Sequence, residues 1–369
     1  MKQVVGIINL QEGNSLIREL AATRAVEALP FAGRYRLVDF AISNMVNSGI
    51  SAVGLVLPDF SRAVLDHIRS GKDWDLARRR DGLTYLPAAL PDNDSRKGDL
   101  KDIYANLDFA ELSGRQYVLL TNASYIYNID FTEVVDFHKK SGADITMVYT
   151  QAQVDREGKS VVIETSTNGI VTDLAEVPAI KAGQKDVMGA YLMPVPTFAY
   201  LVRSTYERGG QDFLLDGLIR HAHEFKISAY KHEGYVAHIN STMEYYEANR
   251  DCLKPAVWEE LFMNNERPIF TKVKDEVPVQ YKETANVKNS LIANGCEIRG
   301  TVENSIIFRG VIVGNGAVVK DSILMQRCDV QEGARVENVI CDKEVIITKN
   351  RWLKGAENYP YIVTKKARI

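Results

Sequence analysis

The first stretch with the makings of chemistry is the turn after VVGIINL, which reads Asn9-Leu10-Gln11-Glu12-Gly13-Asn14 and leads into a helix-like run. A turn between a strand and a helix is a natural phosphate seat, because backbone N–H groups and the helix N-terminus face the anion. Close approach of the backbone to a phosphate calls for glycine. This turn holds a single glycine, Gly13, and adds the carboxylate of Glu12, which repels phosphate. The place is right for a phosphate and the residues are wrong. Shortly afterwards come Arg24, Arg34 and Arg36. Guanidinium forks near one turn suit multiply charged phosphates, and surface ion pairs are their other ordinary use.

Such residues act only if a scaffold aims them. VVGIINL, AVGLVLP, QYVLLTN and ADITMVYT are short apolar runs rich in Val, Ile and Leu. Helical patterns separate them, among them RLVDFAISNMVNSG and DFTEVVDFHKKSG; the second ends in basic residues and Gly142, which are helix stop signals. This alternation predicts an α/β domain with a mostly parallel sheet and helices on both faces. Ligands in such folds bind at the carboxyl ends of the strands, where the opening turn lies.

Bulk properties narrow the class. The 369 residues suit one large or two ordinary domains, and 46% hydrophobic with 25% charged residues is globular composition. A net charge of −3 gives no basic field for nucleic acid, and no apolar run spans a bilayer, so neither nucleic acid nor membrane is an expected partner. Cys252, Cys296, Cys328 and Cys341 lie far apart without CxxC spacing, which argues against a zinc site or disulfide framework. The N-terminus lacks signal-peptide features, and a cytoplasmic location is expected.

After about residue 275 the pattern changes. Ile306, Ile312, Val318, Leu324, Val330 and Val336 recur every six residues, with turn residues between short β-branched triplets. A six-residue repeat predicts a β-helix, one side of a triangular coil per hexad. The expected division is residues 1–250 for the α/β domain, 251–280 for a linker and 281–369 for the β-helix.

PFAGRYRLVDFAISNMVNSGI, from Pro30, closely resembles the block after the phosphate loop of bacterial ADP-glucose pyrophosphorylases, the glucose-1-phosphate adenylyltransferases. GDLKDIYAN, YVLLTNASYIYNID, VMGAYLM, GGQDFLLD and GYVAHINSTMEYYEAN follow in the same order as their counterparts. The resemblance covers nearly the whole chain. It implies a Rossmann-like nucleotidyltransferase domain followed by a left-handed parallel β-helix. It also implies a remnant substrate pocket at Gln11, Glu12, Gly13, Gly98, Asp102, Glu176 and Gly189. Asp99 and Asp102 fall in a loop that lines the family's nucleotide pocket, where a helix N-cap is their simplest use. Arg24, Arg34 and Arg36 match a stretch that serves phosphate-bearing effectors in the family.

The departures from the family fall on its chemistry. Leu16 stands for an arginine beside the triphosphate, Val26 for a lysine, and Val177 for the lysine that grips the sugar phosphate. Ser124 and His238 stand for the two aspartates that hold magnesium. Adenylyl transfer depends on cations that neutralise the transferring phosphate. Losing one such group costs roughly two to three powers of ten in rate. A serine and a histidine are poor ligands for so hard an ion. The resemblance therefore implies no cofactor and no catalytic residues in this chain, on an intact framework that includes Phe31, Gly33, Asp39 and Asn44. It resembles the non-catalytic, regulatory type of subunit, expected to join catalytic chains in a hetero-tetramer that serves glycogen synthesis. A phosphorylated effector or a weakly bound nucleotide is its expected ligand. An active sugar-phosphate nucleotidyltransferase with altered metal ligands is the alternative.

Overall fold

Val4–Asn9 (β1) is buried along its whole length, as a strand covered on both faces requires. In the computed structural model, which describes residues 1–11, 16–89 and 98–369, β1 lies between Ala52–Val56 (β2) and Tyr117–Asn122 (β4), parallel to both. Gly82–Leu86 (β3) continues the parallel core beyond β2. Tyr125–Ile126 (β5) follows β4 closely. Ile145–Gln151 (β6), Arg156–Thr165 (β7), Val171–Ile180 (β8), Lys185–Pro194 (β9) and Ile227–Lys231 (β10) extend the sheet. The order is β8-β7-β9-β4-β1-β2-β3, with β6 on β9 and β10 on β6. The strand β9 runs antiparallel to β4, β6 and β7, so the sheet is mixed around a parallel core. Leu37–Asn47 (α1), Leu100–Ala105 (α2), Phe131–Ser141 (α3) and Val195–Glu207 (α4) are among its helices. The stop signal read at Gly142 holds: this residue caps α3 with φ +56°, and Asp130 caps the other end by accepting from the Thr132 N–H at 2.8 Å.

The C-terminal coils form three five-stranded sheets in which every strand pairs in parallel with the equivalent strand one coil away. This is the left-handed parallel β-helix. Its core stacks Val302, Val319 and Val336 along one side and Val313, Val330 and Ile347 along another, all buried. The phase of the repeat differs from unbroken sixes. Ile307, Val313 and Val319 point inward, whereas Ile312 is 42% exposed. The step shortens by one residue between Val319 and Leu324, and again between Val336 and Cys341. The cause is the corner between them, where Asp321 and Asn338 turn the chain with φ +45° and +53°. Serines lock the same corner from coil to coil. Ser290, Ser305 and Ser322 accept from the N–H groups of Ser305, Ser322 and Val339, each at 3.1 Å.

The chain divides into two units that are discontinuous in sequence. One comprises Met1–Gly13, Val38–His238 and Asn264–Phe270; the other comprises Asn14–Leu37, Ile239–Met263 and Thr271–Ile369. The second unit therefore adds Thr242–Asp251 (α5), Pro255–Phe262 (α6) and the hairpin Pro30–Arg36 to the coils, a grouping that a contiguous reading of the sequence does not give. The tie is polar as well as apolar. Tyr246 donates to Asp321 O at 2.5 Å, and Arg250 pairs with Asp321 at 3.1 Å. The outward row Ile306, Ile323 and Ile340 is fully buried. Among the described residues, no helix is long and apolar enough to cross a membrane.

Candidate functional site

The carboxyl end of β1 is built from side chains bonded to one another. Asn9 aligns with Val56 and Asn122 across the three central strands. Its amide donates to Asp99 Oδ2 at 2.6 Å, and Asp99 Oδ1 accepts from the Phe213 N–H at 2.9 Å. Asp99 therefore ties the strand end to the segment that follows Gly209. Gln11 bends back, its N–H on Asn9 Oδ1 at 3.1 Å and its Nε2 on Leu57 O at 2.8 Å. Glu12 and Gly13 lie outside the described residues. Gly98 has φ +101°, and a Cβ there would sit 2.3 Å from Gln211 O, so glycine is required by packing. Asp102 is buried in the first turn of α2 and accepts from the Ala89 N–H at 2.6 Å. Asp99 stands at the N-cap position of α2 without capping it by its side chain, which is spent on Asn9 and the Phe213 N–H.

At the end of β4 the chain passes through buried Asn122, Ala123 and Ser124 into β5. Ala237–His238 (β11) pairs antiparallel with β5, placing His238 opposite Tyr125. Their rings stack face to face, 4.0 Å apart at 1°. Gly189, with φ +63°, leaves the space that the Asn122 side chain fills; a Cβ there would stand 1.9 Å from Asn122 Nδ2. Behind Tyr125, its hydroxyl lies 3.3 Å from Asp186 Oδ1, and the other oxygen of Asp186 accepts from the guanidinium of Arg156. Burial and the Arg156 charge push the His238 pKa down to about 3, which keeps the imidazole neutral. Burial pushes the Asp186 carboxyl up, against the pull of Arg156 and Tyr125. On β8, half-buried Val177 offers no charge, while Glu176 pairs with Lys159 at 2.9 Å.

This donor set does not fit magnesium. The positions that would supply carboxylates hold a buried hydroxyl, Ser124, and a neutral imidazole lying flat on a tyrosine. The nearby carboxylate, Asp186, is already held by an arginine. Hard divalent ions want several oxygen ligands, preferably charged. Among the described residues no cluster of three His, Cys, Asp or Glu could hold a metal ion.

The second unit carries the basic residues. Leu16 is exposed and bridges to Ser241, and Val26 is buried in a one-turn helix. The three arginines stand in different surroundings. Arg24 is buried in an ion pair with Asp342 and donates to Leu20 O at 3.0 Å. Arg34 is exposed at the hairpin tip, its guanidinium 5.6 Å from the Tyr35 ring centre. Arg36 has two partners in charge that the sequence did not suggest, Lys274 and Lys343. Burial lowers the Lys343 pKa to about 7, helped by Arg36 and Arg24, and burial with Arg309 and Arg36 lowers that of Lys274. Lys274 and Arg34 also line a cavity of about 460 Å³ with Trp258 and Arg309. Arg156, Asp186, Lys274 and Lys343 were missed because each is one charge on a strand or loop without a motif.

A family model described as nucleotidyl transferase matches residues 14–259, and one described as GlmU-like, C-terminal hexapeptide matches residues 276–354. The chain is 33% identical over 364 residues to the glycogen biosynthesis protein GlgD of Bacillus subtilis (strain 168), covering 98% of this chain and 96% of that one. It is 34% identical over 365 residues to GlgD of Geobacillus stearothermophilus, with the same coverage. Against the glucose-1-phosphate adenylyltransferase of Mycoplasma mobile (strain ATCC 43663 / 163K / NCTC 11711) it is 31% identical over 332 residues, 87% of this chain and 85% of that one.

Proposed function

The chain belongs to the nucleotidyl transferase family of the GlgD proteins and glucose-1-phosphate adenylyltransferases, and from that membership we propose that it serves glycogen biosynthesis as a regulatory subunit that does not itself transfer the adenylyl group. One observation carries the reading: the strand ends β5 and β11 present Ser124, Tyr125 and His238 in a buried, stacked, metal-poor arrangement. Attack on the α-phosphate of ATP needs cations around the transferring group. Ser124 cannot supply the ligand charge, neutral His238 is turned onto a ring, and Val177 has no ammonium for a sugar phosphate. Asn9, Asp99, Gln11 and Gly189 brace the carboxyl ends of the central strands, which supports a kept scaffold.

The regulatory half of the reading rests on the second unit. Arg36, Lys274 and Lys343 concentrate positive charge against the coils, where a phosphorylated effector would be held; Arg24 supports the cluster from its pair with Asp342. The partner is a catalytic adenylyltransferase chain, most simply in a hetero-tetramer.

The test is an assay of ADP-glucose formation from ATP, magnesium and glucose 1-phosphate, with the chain alone, the catalytic companion alone and the mixture. No turnover alone, with altered rate or effector response in the mixture, is the expected result. Robust turnover by the chain alone would favour an enzyme with altered metal ligands and end this reading.

A further inference from the structure

Charge is spread unevenly along the chain, and the last coil of the β-helix holds a positive surplus. Residues 349–369 carry six cations, Lys349, Arg351, Lys354, Lys365, Lys366 and Arg368, against one acid, Glu357; that is a formal +5, so the other 348 residues carry −8 of the net −3. All six cations are exposed. Three turn back to the preceding coil: Lys349 on Glu332 at 3.1 Å, Lys354 on Glu337 at 3.4 Å and Lys366 on Glu344 at 3.7 Å. Arg351, Lys365 and Arg368 make no ion pair among the described residues. The same coil exposes three aromatic side chains, Trp352 at 63%, Tyr359 at 57% and Tyr361 at 49%. One side of the coil end is closed, where residues 367–369 bond back to Ile346 and Thr348. The strands Trp352–Lys354 and Tyr361–Val363 pair only with the coil before them, so the outer edge of each has no strand among the described residues.

We propose that this last coil is the docking face for a carboxylate-bearing strand edge of a partner subunit, and that its charge keeps a second copy of the same coil from taking that place. This rests on the reading that the chain works with a partner chain, and adds where and by what chemistry the partner is held. An open strand edge pairs readily with another chain, and lysines on the edge guard against unwanted pairing. Solubility accounts for the cations but not for a tryptophan and two tyrosines left in water beside them. Trp, Tyr and Arg are the side chains that anchor protein interfaces. Two identical coil ends would set the same surplus of positive charge face to face, which discriminates against that pairing. An acidic edge meets the opposite, because Arg351, Lys365 and Arg368 are exposed and uncommitted to other carboxylates. RNA also seeks cations and rings, but it must approach a chain whose remaining residues are net acidic.

The test mixes the full chain with the catalytic adenylyltransferase companion and follows complex formation by sedimentation velocity. The expected result is a complex weakened on the order of tenfold or more as sodium chloride rises from about 0.05 M to about 0.5 M. Arg351→Glu/Lys365→Glu/Arg368→Glu alters only exposed side chains. It is expected to lose about tenfold or more in affinity for the companion, and to associate with the wild-type chain, whose last coil now offers the opposite charge. Equal companion affinity in the folded triple variant, a complex indifferent to salt, or no association between variant and wild type would overturn the proposal. So would binding of a single-stranded RNA oligonucleotide that the triple variant loses. The salt comparison needs no substitution, so it decides even if the variant does not fold. A companion complex left intact by the charge reversal sinks this proposal alone; no complex and no effect on turnover sinks the regulatory reading with it.

Discussion

Arg24 and Arg36 are the same residue type in one short stretch, and the fold gives them different work. Arg24 is sealed against Asp342, so its loss strands a buried carboxylate. Arg24→Ala should destabilise the protein by about 3–5 kcal/mol, seen in the urea midpoint. Arg36→Ala should weaken phosphate binding at the Arg36–Lys343 cluster. If Arg24→Ala unfolds at the wild-type midpoint, the structural role is wrong. Lys343 adds a pH dependence. Its pKa falls from 10.5 to about 7 in the folded chain, so it is charged below that value and neutral above it. Phosphate affinity at the cluster should therefore fall as pH rises from about 6 to about 9. A flat profile would remove Lys343 from the site. The basic residues were legible as types, but their partners were not, because Asp342 lies far along the chain.

At the scale of elements, the coil corner is where local sequence meets packing. Ser322 is buried, accepts from the Val339 N–H at 3.1 Å and donates to Lys320 O at 2.6 Å. Ser322→Ala leaves that N–H without its partner and should cost roughly 1–3 kcal/mol, measured by chemical or thermal unfolding. An unchanged midpoint would mean the corner is held by backbone turns alone. The apolar repeat announced a β-helix because each strand is too short to bury its own face and must stack. Its phase was not legible. Ile306 and Ile312 look alike in sequence, yet Ile306 is fully buried on a covered face and Ile312 is 42% exposed. The one-residue shortening at Asp321 and Asn338 depends on left-handed backbone, which an Asp or Asn permits without announcing.

At the scale of the whole molecule, buried neutral histidines tie stability to pH. The pKa of His238 falls to about 3 and that of His232 to about 4, both chiefly through burial. Each folded value lies below the ordinary 6.5, so the unfolded chain binds protons that the folded chain refuses. Stability should then fall as pH drops from about 6.5 towards about 4 and below. His232→Gln should flatten part of that slope in urea midpoints taken at about pH 7 and about pH 5. An unaltered slope would show that His232 titrates normally in the fold. By itself, the sequence determined the element types and the two architectures, because these follow from hydrophobic period in short windows. Only the tertiary structure decided that residues 14–37 and 239–263 join the coils, that Arg24 is internal, and that Arg156 is held on Asp186 behind Tyr125 and His238. Those are pairings between distant stretches, and no local pattern encodes which charge will meet which.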